Sequence, residues 1–299
     1  LNFRDVLFAK GVHGFPRSPE GLVPLSDGAG EVVEVGEGVT RVKPGDRVAG
    51  LFSQGWFAGS HALEGRDSIL SGSIDGVLSE YRIFDQQGLV KIPDHLSFEE
   101  ASTLPCAALT AWNALYGLKP LQPGQTVLVL GTGGVSTFAL QFASAAGARV
   151  IATSSSDAKL EKARSLGATD TINYAQCPKW DEEVKRLTGG SGVDNVIEVG
   201  GPGTLQCSIR CARPGGIVSI IGMLAQGSMI DPMPILSASC ILRGVLVGSR
   251  ELFEAMNRTI AWHQIHPAVD SIFAFEEANA ALAYLESGAH VGKVVIRIA

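Results

Sequence analysis

TVLVLGTGGVS, from Thr126 to Ser136, reads as a strand, a glycine turn and the start of a helix in one piece. Thr126 to Leu130 is a β-branched and leucine run of the kind that forms a buried parallel strand. Gly131, Gly133 and Gly134 follow at once. Val135, Phe138, Ala139, Phe142, Ala143 and Ala146 then fall on one helical face. Gly147 closes that helix, and ARVIATS (Ala148 to Ser154) supplies a second strand. A βαβ unit of about thirty residues is the setting in which a glycine fingerprint marks a dinucleotide site. The glycines let backbone approach a pyrophosphate, whose charge meets free N–H groups at the helix start. The third glycine of G-x-G-x-x-G falls on Ser136. That glycine serves close packing of helix on strand, which a small serine tolerates, and Gly134 adjoins the phosphate turn.

The surroundings fit an ordinary folded protein. With 299 residues, 45% hydrophobic and 18% charged, the chain can bury the cores of two domains. A net charge of −6 leaves no electrostatic footprint for nucleic acid or an anionic membrane. No apolar run reaches the ~18 residues of a membrane-spanning helix, and no signal peptide is seen. A cytoplasmic protein acting on a small molecule is therefore expected. The chain opens at Leu1, in what reads as the middle of a fold, so an N-terminal segment is expected to be missing. Cys106, Cys177, Cys207, Cys211 and Cys240 are odd in number and never spaced C-x-x-C. That pattern predicts free thiols, with neither a disulfide framework nor a four-cysteine zinc lobe.

Residues 1 to 107 are rich in glycine and in short strand-like runs. GEVVEVGEGVTRVKPGDRVAGLF (Gly30 to Phe52) alternates valine with polar residues and turns at Gly36, Gly38 and Pro44-Gly45, predicting antiparallel, barrel-like β structure. Residues 108 to 248 then alternate helix and strand. A helix is expected at Ala158–Leu166, a strand at Val193–Val199 and a helix after Gly203. Strands follow at Ile217–Ile221, after a Pro214-Gly215-Gly216 turn, and at Ile241–Val247. Alternation of this kind implies a doubly wound parallel sheet. The tail offers helices at Arg250–His263 and Phe275–Glu286, with Gly288 ending the second, and a last strand at Lys293–Ile298.

Several ordered segments together resemble the medium-chain dehydrogenase/reductases over essentially the whole chain. They are LNFRD (Leu1–Asp5), SDGAGEVVEVGEGV (Ser26–Val39), KPGDRV (Lys43–Val48), LPCAALTAW (Leu104–Trp112), GTGGVS, GGPGT (Gly200–Thr204) and HVGKVVI (His290–Ile296). The resemblance implies a Rossmann coenzyme domain (108–248) beside a GroES-like β-barrel catalytic domain (1–107 and 249–299). It also implies a homodimer, and Ile241–Val247 suits edge-to-edge pairing of two sheets.

Zinc-dependent members hold a catalytic zinc at three positions that fall here on Asn2, Ser26 and Cys106. Only the cysteine is a good ligand, and Asp27 is one carboxylate beside it. The remaining resemblance is to the zinc-free, quinone oxidoreductase-like branch, often labelled zinc-type alcohol dehydrogenase-like. Its members reduce activated double bonds or carbonyls with a nicotinamide hydride. On that resemblance no metal is expected, and Asn2, Asp5, Asp27 and Thr110 are the candidates for polarising a carbonyl. For Asn2 and Asp5 the alternative is a polar network at a strand end, and for Thr110 a helix cap. Trp56 and Phe57 either wall a substrate pocket or pack in a core. The six histidines form no metal-ligand spacing. An alcohol dehydrogenase with an atypical metal site and a non-catalytic NADPH-binding protein stand as alternatives.

An NAD-preferring site presents a carboxylate at the end of the second strand, for the ribose 2′-hydroxyl. Here that position is Ser154, within TSSSDAK, which does not repel a 2′-phosphate. The resemblance places Ser154, Ser155, Lys159 and Tyr174 around that phosphate, so NADP(H) is the expected cofactor. Asp157 is the competing carboxylate, or else a first-turn acid of the next helix. The same resemblance assigns cofactor contacts to Gly131, Thr132, Gly133, Gly134, Val135 and Thr110. It adds Gly200, Gly222, Met223, Leu224, Gly292 and Lys293. Ser249 and Arg250 lie in segments near the cofactor or substrate.

Overall fold

A chain that turns at glycine or proline every few residues builds only short strands, and its first hundred residues do so. The computed structural model describes residues 1–11, 21–61, 67–222, 224 and 231–298, and Met223 lies outside them. The chain divides into two compact units, residues 1–109 with 247–299, and residues 110–246. The first unit opens with α1 (Phe3–Lys10), at a place where the sequence suggested a strand end. Asn2 is its extended N-cap residue and Asp5 lies in its first turn, so the N-x-x-D pattern is a helix start. Next come β1 (Ala29–Glu31), β2 (Arg47–Gly50) and β3 (Leu89–Lys91), paired antiparallel in that order. The valine-rich run thus contributes two short strands, joined by a loop that turns at Gly38 and Gly45, both at positive φ. α2 (Phe98–Ala101) carries a complete capping box, with Ser97 and Glu100 bonding each other's backbone.

The second unit is the alternating one. After α3 (Leu109–Tyr116) come β4 (Thr126–Leu130), α4 (Gly134–Ala145), β5 (Arg149–Ser154), α5 (Asp157–Ser165) and β6 (Asp170–Asn173). Then follow α6 (Trp180–Leu187), β7 (Val193–Glu198), α7 (Leu205–Cys211), β8 (Ala212–Ile220), α8 (Met233–Ala238) and β9 (Ile241–Gly244). The strands form one parallel sheet in the order β6-β5-β4-β7-β8-β9. Two strand limits differ from expectation. β8 starts at Ala212, because Ala212 already pairs with Val193 while Pro214 to Gly216 bulge out before Ile217 meets Asn195. β9 stops at Gly244, and Arg243 there donates to the carbonyl and side-chain oxygen of Asn113.

The chain returns to the first unit through α9 (Arg250–His263), β10 (Val269–Ala274), α10 (Ala278–Ser287) and β11 (Lys293–Arg297). Ser249 caps α9 through its hydroxyl, and β10 pairs parallel with β11. A 3-10 turn at Phe275–Glu277 precedes α10, which starts later than the sequence suggests. Among the described residues no helix is long and apolar enough to cross a membrane.

Core packing holds the sheet of the second unit. Leu128, Ile151, Val196 and Val218, one from each of four neighbouring strands, are fully buried. Phe138 and Phe142 on α4 are fully buried with centroids 5.9 Å apart, and Trp112 meets Phe142 edge-on at 5.4 Å. Phe142→Ala removes a ring that nothing can replace in so dense a layer. It should lower unfolding stability by about 3–5 kcal/mol, read by urea denaturation.

Candidate functional site

The strand order reverses between β4 and β7, and the C-terminal ends of those strands border a crevice of the kind that binds ligands in open parallel sheets. Gly131 stands there at φ +70 with nothing within 4 Å of the place a side chain would take. Gly133 caps α4 in extended conformation, and Gly134 and Val135 begin the helix. Their N–H groups are the orphan donors of a helix start, which suits an anion. Thr132 is buried between them. Ser136, fully inside, donates to the Leu130 carbonyl at 2.7 Å, so the residue in place of the third glycine ties the helix back to its strand.

The parallel pairing of β5 with β6 sets Ser154 opposite Asn173, and the Tyr174 N–H donates to the Ser154 carbonyl at 3.0 Å. Ser154 is buried, Ser155 and Tyr174 are exposed, and Lys159 is half-buried in the first turns of α5. Asp157, the competing carboxylate, is the first residue of α5. Its two oxygens accept from Asn173 at 2.7 Å and Gln176 at 2.9 Å. It is a first-turn acid occupied by two side-chain amides.

Across the crevice stands a residue that the motif reading passed over. Glu198, the last residue of β7, is completely buried. Its Oε1 accepts from Gly200 N–H at 2.7 Å, Gly201 N–H at 2.8 Å and the Thr204 hydroxyl at 2.6 Å. Its Oε2 accepts from the Ser208 hydroxyl. The Glu198 carbonyl also accepts from Ile221 at 2.9 Å and Gly222 at 3.3 Å. A side chain on Gly222 would collide with the Val199 carbonyl, so this turn admits only glycine. Leu224, beyond it, is exposed. The signal was present in sequence: an acid two residues before a pair of glycines, with Thr204 at the start of the next helix and Ser208 one turn along it.

Thr110 is the second residue of α3 and buried, with a π-helical turn at Leu104–Ala108 directly before it in the chain. It lies inside a continuous helical run whose N-cap is Thr103, so it is not a capping residue. Trp56 is buried, and the Trp56 and Phe57 carbonyls accept from Arg250 and Glu251 at the start of α9. Arg250 in turn donates to Gln87 and lies 4.7 Å over the Phe57 ring, a structural cation.

The first unit gathers the other predicted polar residues. Asp5 accepts from the Asn2 N–H at 2.7 Å. Lys293, 3% exposed at the start of β11, donates to Asn2 Oδ1 at 2.6 Å and to the Leu1 carbonyl. Gly292 precedes it at φ +80. Ser26 donates to Asp27 Oδ1 at 2.7 Å, and Asp27 Oδ2 accepts from the Cys106 N–H at 3.1 Å. Leu25, just before Ser26, is held at φ +68, a strained conformation for a leucine, while its carbonyl accepts from Val77. Cys106 sits in the π-helical turn, an irregularity frequent at functional sites. Burial pushes the Cys106 thiol up to about 12, the Asp27 charge adds to the rise, and Lys293 and Arg4 oppose it. Burial likewise raises the Asp5 carboxyl, against the pull of nearby positive charge. Asn2, Asp5, Asp27, Cys106 and Lys293 thus form one polar cluster.

This cluster is a poor seat for zinc. A lysine ammonium already occupies Asn2 Oδ1, and the Ser26 hydroxyl is spent on Asp27. Among the described residues no three His, Cys, Asp or Glu side chains are grouped so as to hold a metal ion. All five cysteines are free.

Known proteins share this fold. A zinc-type alcohol dehydrogenase-like protein of Schizosaccharomyces pombe is 46% identical over all of this chain and 88% of its own length. The chain is a medium-chain dehydrogenase/reductase. The model of the alcohol dehydrogenase GroES-like domain matches residues 1–94 of this dehydrogenase/reductase, and that of the zinc-binding dehydrogenase matches residues 134–262. An NAD-dependent alcohol dehydrogenase of known structure is 33% identical with a TM-score of 0.90, covering 100% of this chain and 89% of its own. A 2-octenoyl-CoA carboxylase reductase, solved with NADP and 2-octenoyl-CoA, is 26% identical with a TM-score of 0.84, covering 98% and 72%. The parallel sheet of this medium-chain dehydrogenase/reductase is Rossmann-like, and residues 1–94 are GroES-like. The protein is an oxidoreductase whose fold serves a pyridine nucleotide.

The Cys106 titration is directly testable. With a thiol near 12, about one molecule in 10⁴ is thiolate at pH 8. Iodoacetamide should therefore label Cys106 slowly, as quantified on its peptide by mass spectrometry. Asp27→Asn removes a negative charge that disfavours the thiolate, so labelling at pH 8 should rise several-fold. An unchanged rate would show that Asp27 does not act on the sulfur.

Proposed function

We propose that this medium-chain dehydrogenase/reductase is a zinc-independent, NADPH-dependent reductase of activated double bonds or carbonyls, of quinone, enone or enoyl type. One observation carries the reading: Lys293 donates to Asn2 Oδ1 at a position where a metal ligand would stand. A site that spends its polar atoms on a buried ammonium polarises a carbonyl by hydrogen bonding. Of the groups proposed for this role, Asn2 Nδ2 and the Thr110 hydroxyl supply donors, Asp5 and Asp27 accept from their neighbours and position them, and Lys293 supports Asn2.

The nicotinamide supplies a hydride when bound. The chain's part is to hold and orient it and to keep water away. Gly131, Thr132, Gly133, Gly134 and Val135 are proposed to receive the pyrophosphate, and Ser154, Ser155, Lys159 and Tyr174 the 2′-phosphate. Gly200, Gly222, Leu224, Gly292 and Thr110 are proposed to line the rest. NADP(H) is favoured over NAD(H) because β5 ends on serine and Asp157 is engaged by Asn173 and Gln176. The relative solved with NADP supports this reading, whereas the NAD-dependent relative marks NAD(H) as the cofactor to test against it. The catalytic role is assigned to the first unit and the coenzyme role to the second. A cytoplasmic homodimer joined along the β9 edge, where Ile241 is 44% exposed, completes the proposal.

NADPH should bind at least tenfold more tightly than NADH by fluorescence titration, and Ser154→Asp should weaken NADPH by about tenfold or more with little effect on NADH. Tighter NADH binding by the unaltered protein would defeat the cofactor assignment. NADPH oxidation should appear with at least one quinone, enal or enoyl thioester and persist after chelation. Loss of the rate on chelation, with zinc found by elemental analysis, would defeat the metal-free reading.

A further inference from the structure

Glu198 presents an unusual arrangement. It is a carboxylate with no exposed surface, at the C-terminal edge of a central strand, held entirely by neutral groups. Two backbone N–H groups and two hydroxyls stabilise it without cancelling its charge. A glutamine would make the same turn, because Oε1 alone receives three of the four donors. The fourth, Ser208, is a hydroxyl that can rotate to accept from an amide. The turn does not require the charge, and a buried charge is costly to keep.

The position of the residue indicates what that charge does. Ser154 and Tyr174 lie on the β5–β6 side of the crevice, and the glycine turn after β4 lies at its middle. A dinucleotide with its 2′-phosphate at the first and its pyrophosphate at the second places its nicotinamide half on the β7–β8 side. Glu198 ends β7 and fixes both flanking turns there, Gly200–Gly201 by its side chain and Ile221–Gly222 by its carbonyl. The nicotinamide ring is cationic when oxidised and neutral when reduced.

We infer that Glu198 is a specificity-determining residue that favours the oxidised nicotinamide over the reduced one. Its fixed charge stabilises the cationic ring and so assists departure of the hydride. The inference rests on the crevice being a nicotinamide site, as proposed above. A unit charge acting across about 10 Å of protein at an effective dielectric near 20 shifts an equilibrium by roughly threefold to thirtyfold.

The test compares Kd for the oxidised and reduced forms of whichever nicotinamide dinucleotide the unaltered full chain binds, by fluorescence and calorimetry. Glu198→Gln removes the charge and keeps the hydrogen bonds. Glu198→Asp keeps the charge and disturbs the bonds. E198Q should lower the ratio Kd(reduced)/Kd(oxidised) by threefold or more, while its melting temperature stays within a few degrees. E198D should leave the ratio within twofold, even where both affinities fall. A merely structural role predicts the reverse, with E198D the more damaged and each variant weakening both forms alike. An unchanged ratio in E198Q overturns the inference, as does an equal shift in E198D or failure of E198Q to fold. In those cases the cofactor assignment stands. Failure of the unaltered chain to bind any nicotinamide dinucleotide removes both.

Discussion

A parallel sheet delivers every strand's C-terminal end to one edge, and reversing the strand order there opens a gap that no crossover helix covers. In this protein the reversal lies between β4 and β7. Three turns meet at that gap, after β4, β7 and β8, and each is shaped by backbone constraints. Gly131 has left-handed backbone, Gly222 abuts a carbonyl, and Gly200 and Gly201 are fixed through the Glu198 carboxylate. The border of the gap is therefore shaped mostly by main chain, and the end of β5, where the Tyr174 N–H meets the Ser154 carbonyl, is the side-chain position on which the proposed cofactor choice rests.

The second unit was the more legible in sequence because its signals are local. A buried strand, a glycine turn and an apolar helical stripe are each read from neighbouring residues, and β4, α4 and β5 form where those signals put them. The first unit was harder to read. Its strands are three or four residues long, and its pairings span distant loops, such as Asp27 to Cys106 and Asn2 to Lys293. No periodicity announces such contacts. Asn2 and Asp5 were visible as a pair, yet their place at a helix start was not, because α1 has only a weak apolar face. Glu198 was missed for another reason. Motif reading looks for glycines that make room, and gives little weight to the acid that holds them.

The two polar centres obey opposite electrostatic rules. In the first unit the Lys293 ammonium and two acids, Asp5 and Asp27, share one neighbourhood and act on the Cys106 thiol in opposite directions. In the second, one acid is kept among neutral donors. Substitution in the mixed cluster would redistribute charge among its members. Substitution at Glu198 has no partner charge to redistribute, and it acts on the four donors that the carboxylate holds.

The bulge at the start of β8 joins two registers within one strand. Ala212 pairs with Val193, Pro214 to Gly216 loop out at the N-terminal end of the strand, away from the gap between β4 and β7, and regular pairing resumes at Ile217. The loop is closely fitted: Gly215 stands at φ +71, and a side chain on Gly216 would meet the Arg213 and Val193 carbonyls. The irregularity is thus absorbed at one end of the strand, and Ile217 to Ile220 run in unbroken step with Asn195 to Glu198.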